Sequence, residues 1–238
     1  MKRMMTIVLV CGLLAGLSAC SAQTHGEDFV SSITSQQEML ETSEEIMVVP
    51  HMDSGEGKTL VAYFAYAENI GDTSGMTVDA ISSASVGITE NAEGNLQVMA
   101  QVIADAENAD VFHITVQDPY DPVYDVMHDR AIEEIDSEAF PALTGNVENL
   151  EQYDIVYLGT PVWGGSLPRP VATFLAENDL SGKIIVPFGI HLGSGFGNMI
   201  DEMEGLCPDA TIRNGFTVNA RTANEEVRTE FQEWLGTL

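Results

Sequence analysis

Three short segments of the 238-residue chain concentrate residues able to hold and orient a ligand. Gly159-Thr160-Pro161-Val162-Trp163-Gly164-Gly165-Ser166-Leu167-Pro168 sets a tryptophan among glycines. His191-Leu192-Gly193-Ser194-Gly195-Phe196-Gly197-Asn198 alternates glycine with other residues behind a histidine, and Tyr66-Ala67-Glu68-Asn69-Ile70-Gly71 is the third segment. Glycines at this density let backbone approach a ligand, and N–H groups opening a helix attract anions. A tryptophan exposed among glycines can cover a flat ring. His191 is the one histidine placed to give a proton to a bound molecule. The others, His25, His51, His113 and His128, show no metal-ligand spacing, so no metal site is expected; His113 reads as core or sheet-facing.

Several catalytic motifs fail on spacing. In Gly193-Ser194-Gly195-Phe196-Gly197 the serine follows the first glycine immediately, so the segment is not a nucleophile elbow. Asn198 stands where a dinucleotide fingerprint has its third glycine, and no Walker A sequence occurs.

The elements that would position these segments follow from hydrophobic patterning. Thr59 to Ala65 is a continuous apolar, β-prone run, as expected of a strand buried on both faces of a parallel sheet. Asp110 to Val116, Asp154 to Gly159 and Lys183 to Gly189 have the same character, and Ala210 to Val218 supplies a fifth strand. Between them lie helical patterns. Leu96, Met99, Val102 or Ile103, and Ala106 line the first; Val123, Met127, Ala131 and Ile135 line the second. A third starts near Pro168, where a missing N–H costs nothing, and a fourth follows Gly197 through Ile200 and Met203. The last opens on the capping-box pattern Thr222-Ala223-Asn224-Glu225 and buries Val227, Phe231, Trp234 and Leu235. This alternation predicts an α/β fold, a doubly wound five-stranded parallel sheet with helices on both faces. Ligands of such sheets bind outside the carboxyl ends of the strands, where all three glycine-bearing segments fall. A phosphoacceptor domain of this topology needs an aspartate after the third strand, where Gly159-Thr160 stands.

Leu158 to Gly165, Phe174-Leu175, Leu180-Ser181-Gly182-Lys183, Gly193 to Gly197 and Leu206-Cys207-Pro208-Asp209-Ala210 together resemble the flavodoxin family, especially its exported members. The resemblance covers nearly everything from Lys58 to Leu238. It implies the strand order 2-1-3-4-5 and flavin mononucleotide (FMN) as cofactor. By it, Pro161 to Gly165, Val162 among them, would flank the isoalloxazine with Trp163 stacking on the ring, and Tyr66 and Thr160 would be further cofactor contacts. Gly193, Ser194, Gly195, Phe196 and Gly197 would line the ring's other side, and His191 could donate a proton to substrate or flavin.

The phosphate turn departs from the family pattern. The first strand ends at Ala65, but Gly94-Asn95-Leu96 opens the helix only far downstream, and connections beyond about 12–15 residues are uncommon and often functional. Leu96 replaces the family's threonine. Gly94 and Asn95 are the expected phosphate contacts, with Ser83 and Ser85 folding back from the insertion that also holds Thr73, Ser74 and Ser82.

Met1 to Cys20 begins with Lys2 and Arg3, continues through an apolar stretch shorter than the roughly 20 residues that span hydrocarbon, and ends in Leu17-Ser18-Ala19-Cys20. The tetrapeptide resembles the lipobox of bacterial lipoproteins. Residues 1–19 are therefore expected to be a signal peptide, Cys20 lipidated, 20–57 a polar tether, and 58–238 one domain, anchored to the outside of a bacterial membrane. Cys207 alone then remains as a free thiol, so no intrachain disulfide is expected.

Aspartate and glutamate number 37 against nine lysines and arginines, a formal charge of -28, and loss of Lys2 and Arg3 would lower it by two units. Such a surface repels nucleic acid. A bound phosphate must then be held by N–H groups, hydroxyls and a helix N-terminus. Reduction of a flavin beside many carboxylates is disfavoured, which predicts a low-potential electron carrier serving a redox protein partner or a small-molecule acceptor. Two other readings fit the same sequence: a reductase of quinones or flavins with a nicotinamide donor, and a binding module that kept the fold without flavin.

Overall fold

The computed structural model describes residues 57–71, 95–220 and 225–238, with Asn95 and residues 225–228 described by backbone alone. The strands are β1 Lys58–Tyr63, β2 Asp110–His113, β3 Tyr153–Pro161, β4 Ile184–His191, β5 Thr211–Ile212 and β6 Phe216–Asn219. The helices are α1 Asn95–Glu107, α2 Tyr124–Asp136, α3 Arg169–Glu177, α4 Met199–Leu206 and α5 Glu225–Leu235. All strand pairs are parallel, in the order β2-β1-β3-β4-β5, with β6 also pairing β4.

Alternate residues of the central strands feed two cores, because successive side chains point to opposite sheet faces. Leu60, Ala62, Phe64, Val156 and Leu158 pack with Met127, Ala131, Phe174 and Met203 of α2, α3 and α4. Val61, Tyr63, Ile155, Tyr157, Val186 and Phe188 pack with Leu96, Met99 and Ile103 of α1 and Phe231 and Leu235 of α5.

Four expectations need correction. The fifth strand divides into β5 and β6, because Pro187 of β4 brings no N–H to the ladder. The Arg213 N–H reaches Ile185 O at 2.8 Å, and then Gly215 passes so close to Pro187 that a Cβ there would overlap its carbonyl oxygen. Strand β2 is not buried on both faces: it is the sheet edge, with Asp110, Val111 and His113 exposed. Along α1 the buried stripe is Leu96, Met99, Ala100, Ile103, Ala104 and Glu107, and Ala106 faces solvent. Likewise Val123 lies outside α2 and is 39% exposed. The capping residues Thr222, Ala223 and Asn224, the segment from Met1 to Cys20, the tether to Glu56 and the insertion beyond Gly71 lie outside the described residues.

Candidate functional site

The chain runs from β1 to β2 on one side and then returns past β1 to β3, so the order reverses between β1 and β3. A crevice opens there at the carboxyl ends of the strands. After β3 the chain makes a two-residue turn. The Trp163 N–H donates to Ser166 O at 3.1 Å, and the Ser166 N–H donates back to Trp163 O at 2.8 Å. Gly164 and Gly165 between them have φ of 57° and 81°, the left-handed pair that such a turn demands and that glycine adopts freely. Pro168 then caps α3.

The connection after β4 docks onto this turn. The Asn198 N–H donates to Gly165 O at 2.8 Å, and the Gly197 N–H to Ser194 O at 3.2 Å. Gly197, at φ 56°, lies so close to Gly165 that a Cβ would overlap that carbonyl oxygen. By contrast, Gly193 and Gly195 face open space. Among the described residues the N–H groups of Gly164, Gly165, Ser194 and Gly195 find no backbone acceptor.

A cleft of about 280 Å³ lies between this pair of loops and α2. Val162, Trp163, Gly164, Gly165, Leu192 and Ser194 form one wall; Tyr124, Met127, His128, Ala131 and Ile132 form the other. The volume is near the lower end of the roughly 300–1,000 Å³ of small-molecule sites. No lysine, arginine or carboxylate lines it, so its chemistry is apolar surface with backbone N–H, hydroxyl and imidazole groups set into it.

Of the residues singled out from the sequence, the structure thus brings together Val162, Trp163, Gly164, Gly165 and Ser194, with Gly193 and Gly195 at the rim. It turns others away. Tyr66 is fully buried and its hydroxyl donates to Asp121 O at 2.5 Å. Thr160 and Pro161 lie inside β3, and the Thr160 hydroxyl donates to Pro161 O at 2.9 Å, which spends it within the strand. The ring of Phe196 packs over Gly215 and so does not line the cleft. Gly197 serves the seam between the loops. Ser83, Ser85 and Gly94 lie outside the described residues; Asn95 opens α1.

Trp163 is not an exposed lid. It is 7% exposed, set edge-on against Phe64 at 5.3 Å, Tyr120 at 5.1 Å and Tyr66 at 6.3 Å between ring centroids. Its indole N–H is buried and meets no acceptor among the described residues, a rare condition in a native interior. One face of the aromatic cluster thus borders the cleft while the rest belongs to the core.

His191 has a task different from proton donation into the cleft. Its Nδ1 accepts the Gly193 N–H at 2.8 Å, so the neutral ring carries its proton on Nε2. Burial holds its pKa below the ordinary histidine value. The side chain braces the start of the glycine loop and does not line the cleft. His113 is half-exposed, its Nδ1 3.0 Å from the Glu68 carboxylate and 3.1 Å from the Tyr63 hydroxyl.

Sequence reasoning missed Tyr124 and His128. Both stand one helical turn apart on the cleft wall, their ring centroids 5.6 Å apart. The i, i+4 spacing of two polar rings was the available signal.

Comparisons with known proteins agree with this architecture. The flavodoxin family model matches residues 85–237. A protein of Bacteroides uniformis classed with the flavoproteins is 27% identical, with a TM-score of 0.54 over 75% of this chain and 97% of that one. A second, from Bacteroides eggerthii, is 26% identical, with a TM-score of 0.51 over 74% of this chain and 97% of that one. A Lactobacillus acidophilus flavoprotein solved in complex with FMN shares the fold at 17% identity, with a TM-score of 0.51 over 73% and 97%. No curated protein shows significant similarity to the chain. Parallel order 2-1-3-4-5, the crevice at its reversal point and a family match over more than half of the sequence lead to one conclusion: the chain belongs to the flavodoxin family.

Proposed function

We propose that this chain binds FMN, with the flavin ring entering the cleft between α2 and the paired Trp163–Ser166 turn and Leu192–Gly197 loop, and that it passes electrons to a redox protein or a small acceptor. The observation that carries this reading is the set of N–H groups on Gly164, Gly165, Ser194 and Gly195, left without backbone acceptors around an apolar cleft at the switch point. They are neutral donors suited to the polar edge of a heteroaromatic ring. The open space at Gly193 and Gly195 lets that edge come close to the backbone. The FMN complex of the Lactobacillus acidophilus protein on the same fold supports the choice of flavin. FMN would supply the electron transfer, while the chain sets position and potential.

The phosphate end falls to Gly94, Asn95, Ser83 and Ser85, as the sequence suggests. With 37 acidic residues against nine basic ones, N–H groups and hydroxyls have to hold it. The same charge opposes reduction, so the potential for the second electron is expected below that of free FMN. Titration of the purified protein with FMN, followed by flavin fluorescence, is expected to show saturable quenching. No binding at micromolar FMN would overturn the reading.

The reading also includes a lipid tether on the outer side of a bacterial membrane, supported by Leu17-Ser18-Ala19-Cys20 after an apolar segment. Metabolic labelling with a fatty acid should mark the protein and fail after Cys20→Ala; equal labelling of the variant would remove the tether.

A further inference from the structure

Guanidinium groups lie over aromatic rings at two places on the molecule. Arg130 stands over Tyr120, 4.2 Å from the ring centroid, and its Nε donates to the Glu134 carboxylate at 2.8 Å. Arg169 stands over Phe140 at 4.7 Å, its Nε donating to Ala139 O at 2.6 Å and its Nη2 to Glu138 O at 3.1 Å. Tyr120 is buried, but Phe140 stays 53% exposed, more than any other large apolar side chain among the described residues. The backbone imposes that exposure. Glu138 turns the chain at φ 50°, Arg169 holds the carbonyls of Glu138 and Ala139, and Pro141 disfavours a helical continuation at Phe140. Just beyond, the Gln117 N–H donates to Ala142 O at 2.9 Å, so the ring sits on a ridge anchored at both ends.

Two grooves flank the ridge. Arg169 lies in one, with Ile135 and Leu206. The other, of about 540 Å³, is bordered by Phe140, Pro141 and Val116 together with Asp118, Glu133 and Glu134. Arg130 and the Tyr120 hydroxyl already hold Glu134, and Arg130 also pairs with Asp118. Glu133 is exposed, and its carboxylate has no partner among the described residues. An aromatic surface and a carboxylate thus face one groove, the same two parts that flank Arg130 at Tyr120.

We propose that this groove docks a basic segment of another protein through an arginine, whose guanidinium lies against Phe140 and pairs with Glu133. A planar, weakly hydrated guanidinium stacks on a ring better than an ammonium does, and ring and carboxylate both favour positive charge. The chain's own long outer segments cannot supply the group, since residues 21–56 and 72–94 contain neither lysine nor arginine. Lys58, Arg130, Arg169 and Lys183 are already held by Asp110, Glu134, Ala139 O and Tyr153 O. A second copy, at a formal charge of -28, is repelled. A different, basic protein is the occupant that the charges select. The groove takes Arg130, Glu133 and Glu134 from α2, whereas the flavin cleft takes Tyr124, Met127, His128 and Ala131 from another flank of that helix, so the proposal stands apart from the flavin reading.

The test is fluorescence anisotropy of a labelled glycine–arginine repeat peptide titrated with the full chain, beside a glycine–lysine peptide of equal length and charge. The arginine peptide is expected to bind roughly two- to tenfold more tightly, the range of one exposed cation–π contact. Phe140→Leu, which keeps apolar bulk beside Arg169, should abolish that preference. Glu133→Gln should weaken the arginine peptide by a similar factor, and Glu177→Gln, an exposed carboxylate outside the groove, should not. Equal binding of the two peptides, or a preference that survives Phe140→Leu, overturns the proposal. Equal losses in Glu133→Gln and Glu177→Gln overturn it too, since they mark unspecific attraction to an acidic surface. Methylguanidinium that binds as tightly as the peptide would make the groove a small-cation site and remove the docking role.

Discussion

Where the turn after β3 meets the connection after β4, glycine is required by packing; a few residues away, at the tip of the second loop, glycine is surrounded by nothing. At the seam, Gly197 lies against the Gly165 carbonyl and Gly164 against the Cδ1 of Ile132. At the tip, Gly193 and Gly195 leave the space of a Cβ empty. The same residue type thus serves two ends: the seam fixes the geometry of the crevice, and the tip keeps one side of it open for a ligand. Trp163 belongs with the seam, its ring held by three other aromatics.

This contrast can be broken by substitution. Trp163→Ala should have the largest effect, destabilising the fold by about 3–5 kcal/mol as other large-to-small core replacements do. Denaturant unfolding measures it, and a loss under about 1 kcal/mol would show that the indole is a lid and not part of the core. Gly197→Ala comes next, at about 2–4 kcal/mol, since a left-handed φ and an overlap with backbone act together. Gly195→Ala meets only the unfavourable φ of 59°, so its cost should stay near 1 kcal/mol while FMN affinity falls. A Gly195→Ala cost equal to that of Gly197→Ala would erase the distinction between seam and tip.

The smallest effect concerns His191. Its folded pKa lies below the ordinary value of 6.5 because of burial, so the folded state binds this proton less readily than the unfolded chain. The stability it contributes is fully present above about pH 6.5 and is lost as pH falls through the lower folded value. Protonation at Nδ1 also removes the acceptor of the Gly193 N–H. The Gly193 amide resonance should therefore titrate with His191, and in His191→Asn, whose amide oxygen can take the place of Nδ1, it should not. An amide that ignores pH in the wild type contradicts the brace.

Local patterning was enough to read the parallel sheet, because a buried central strand such as β1 lies in a continuous apolar run, here residues 59–65, whatever its neighbours. What depended on a neighbour was not legible. The last strand looks unbroken until Pro187 is placed beside it. Glu107 has no place on an apolar stripe until Tyr157 is seen on the same side of the sheet, where burial and that carboxylate together raise the tyrosine's pKa. In the site, the glycines announced themselves by density. Yet nothing local reveals that Phe64, Tyr66 and Tyr120 converge on Trp163, or that Tyr66 and Thr160 spend their hydroxyls on nearby carbonyls. His128 was passed over because a metal-ligand spacing was the criterion, whereas it borders the cleft one helical turn from Tyr124.

The claim that the crevice holds a flavin through its unpaired backbone donors is tested most directly by amide NMR of the full chain during addition of FMN. The resonances of Gly164, Gly165, Ser194 and Gly195 are expected to shift the most and to saturate together. Saturable binding that leaves these four amides unmoved would contradict the account.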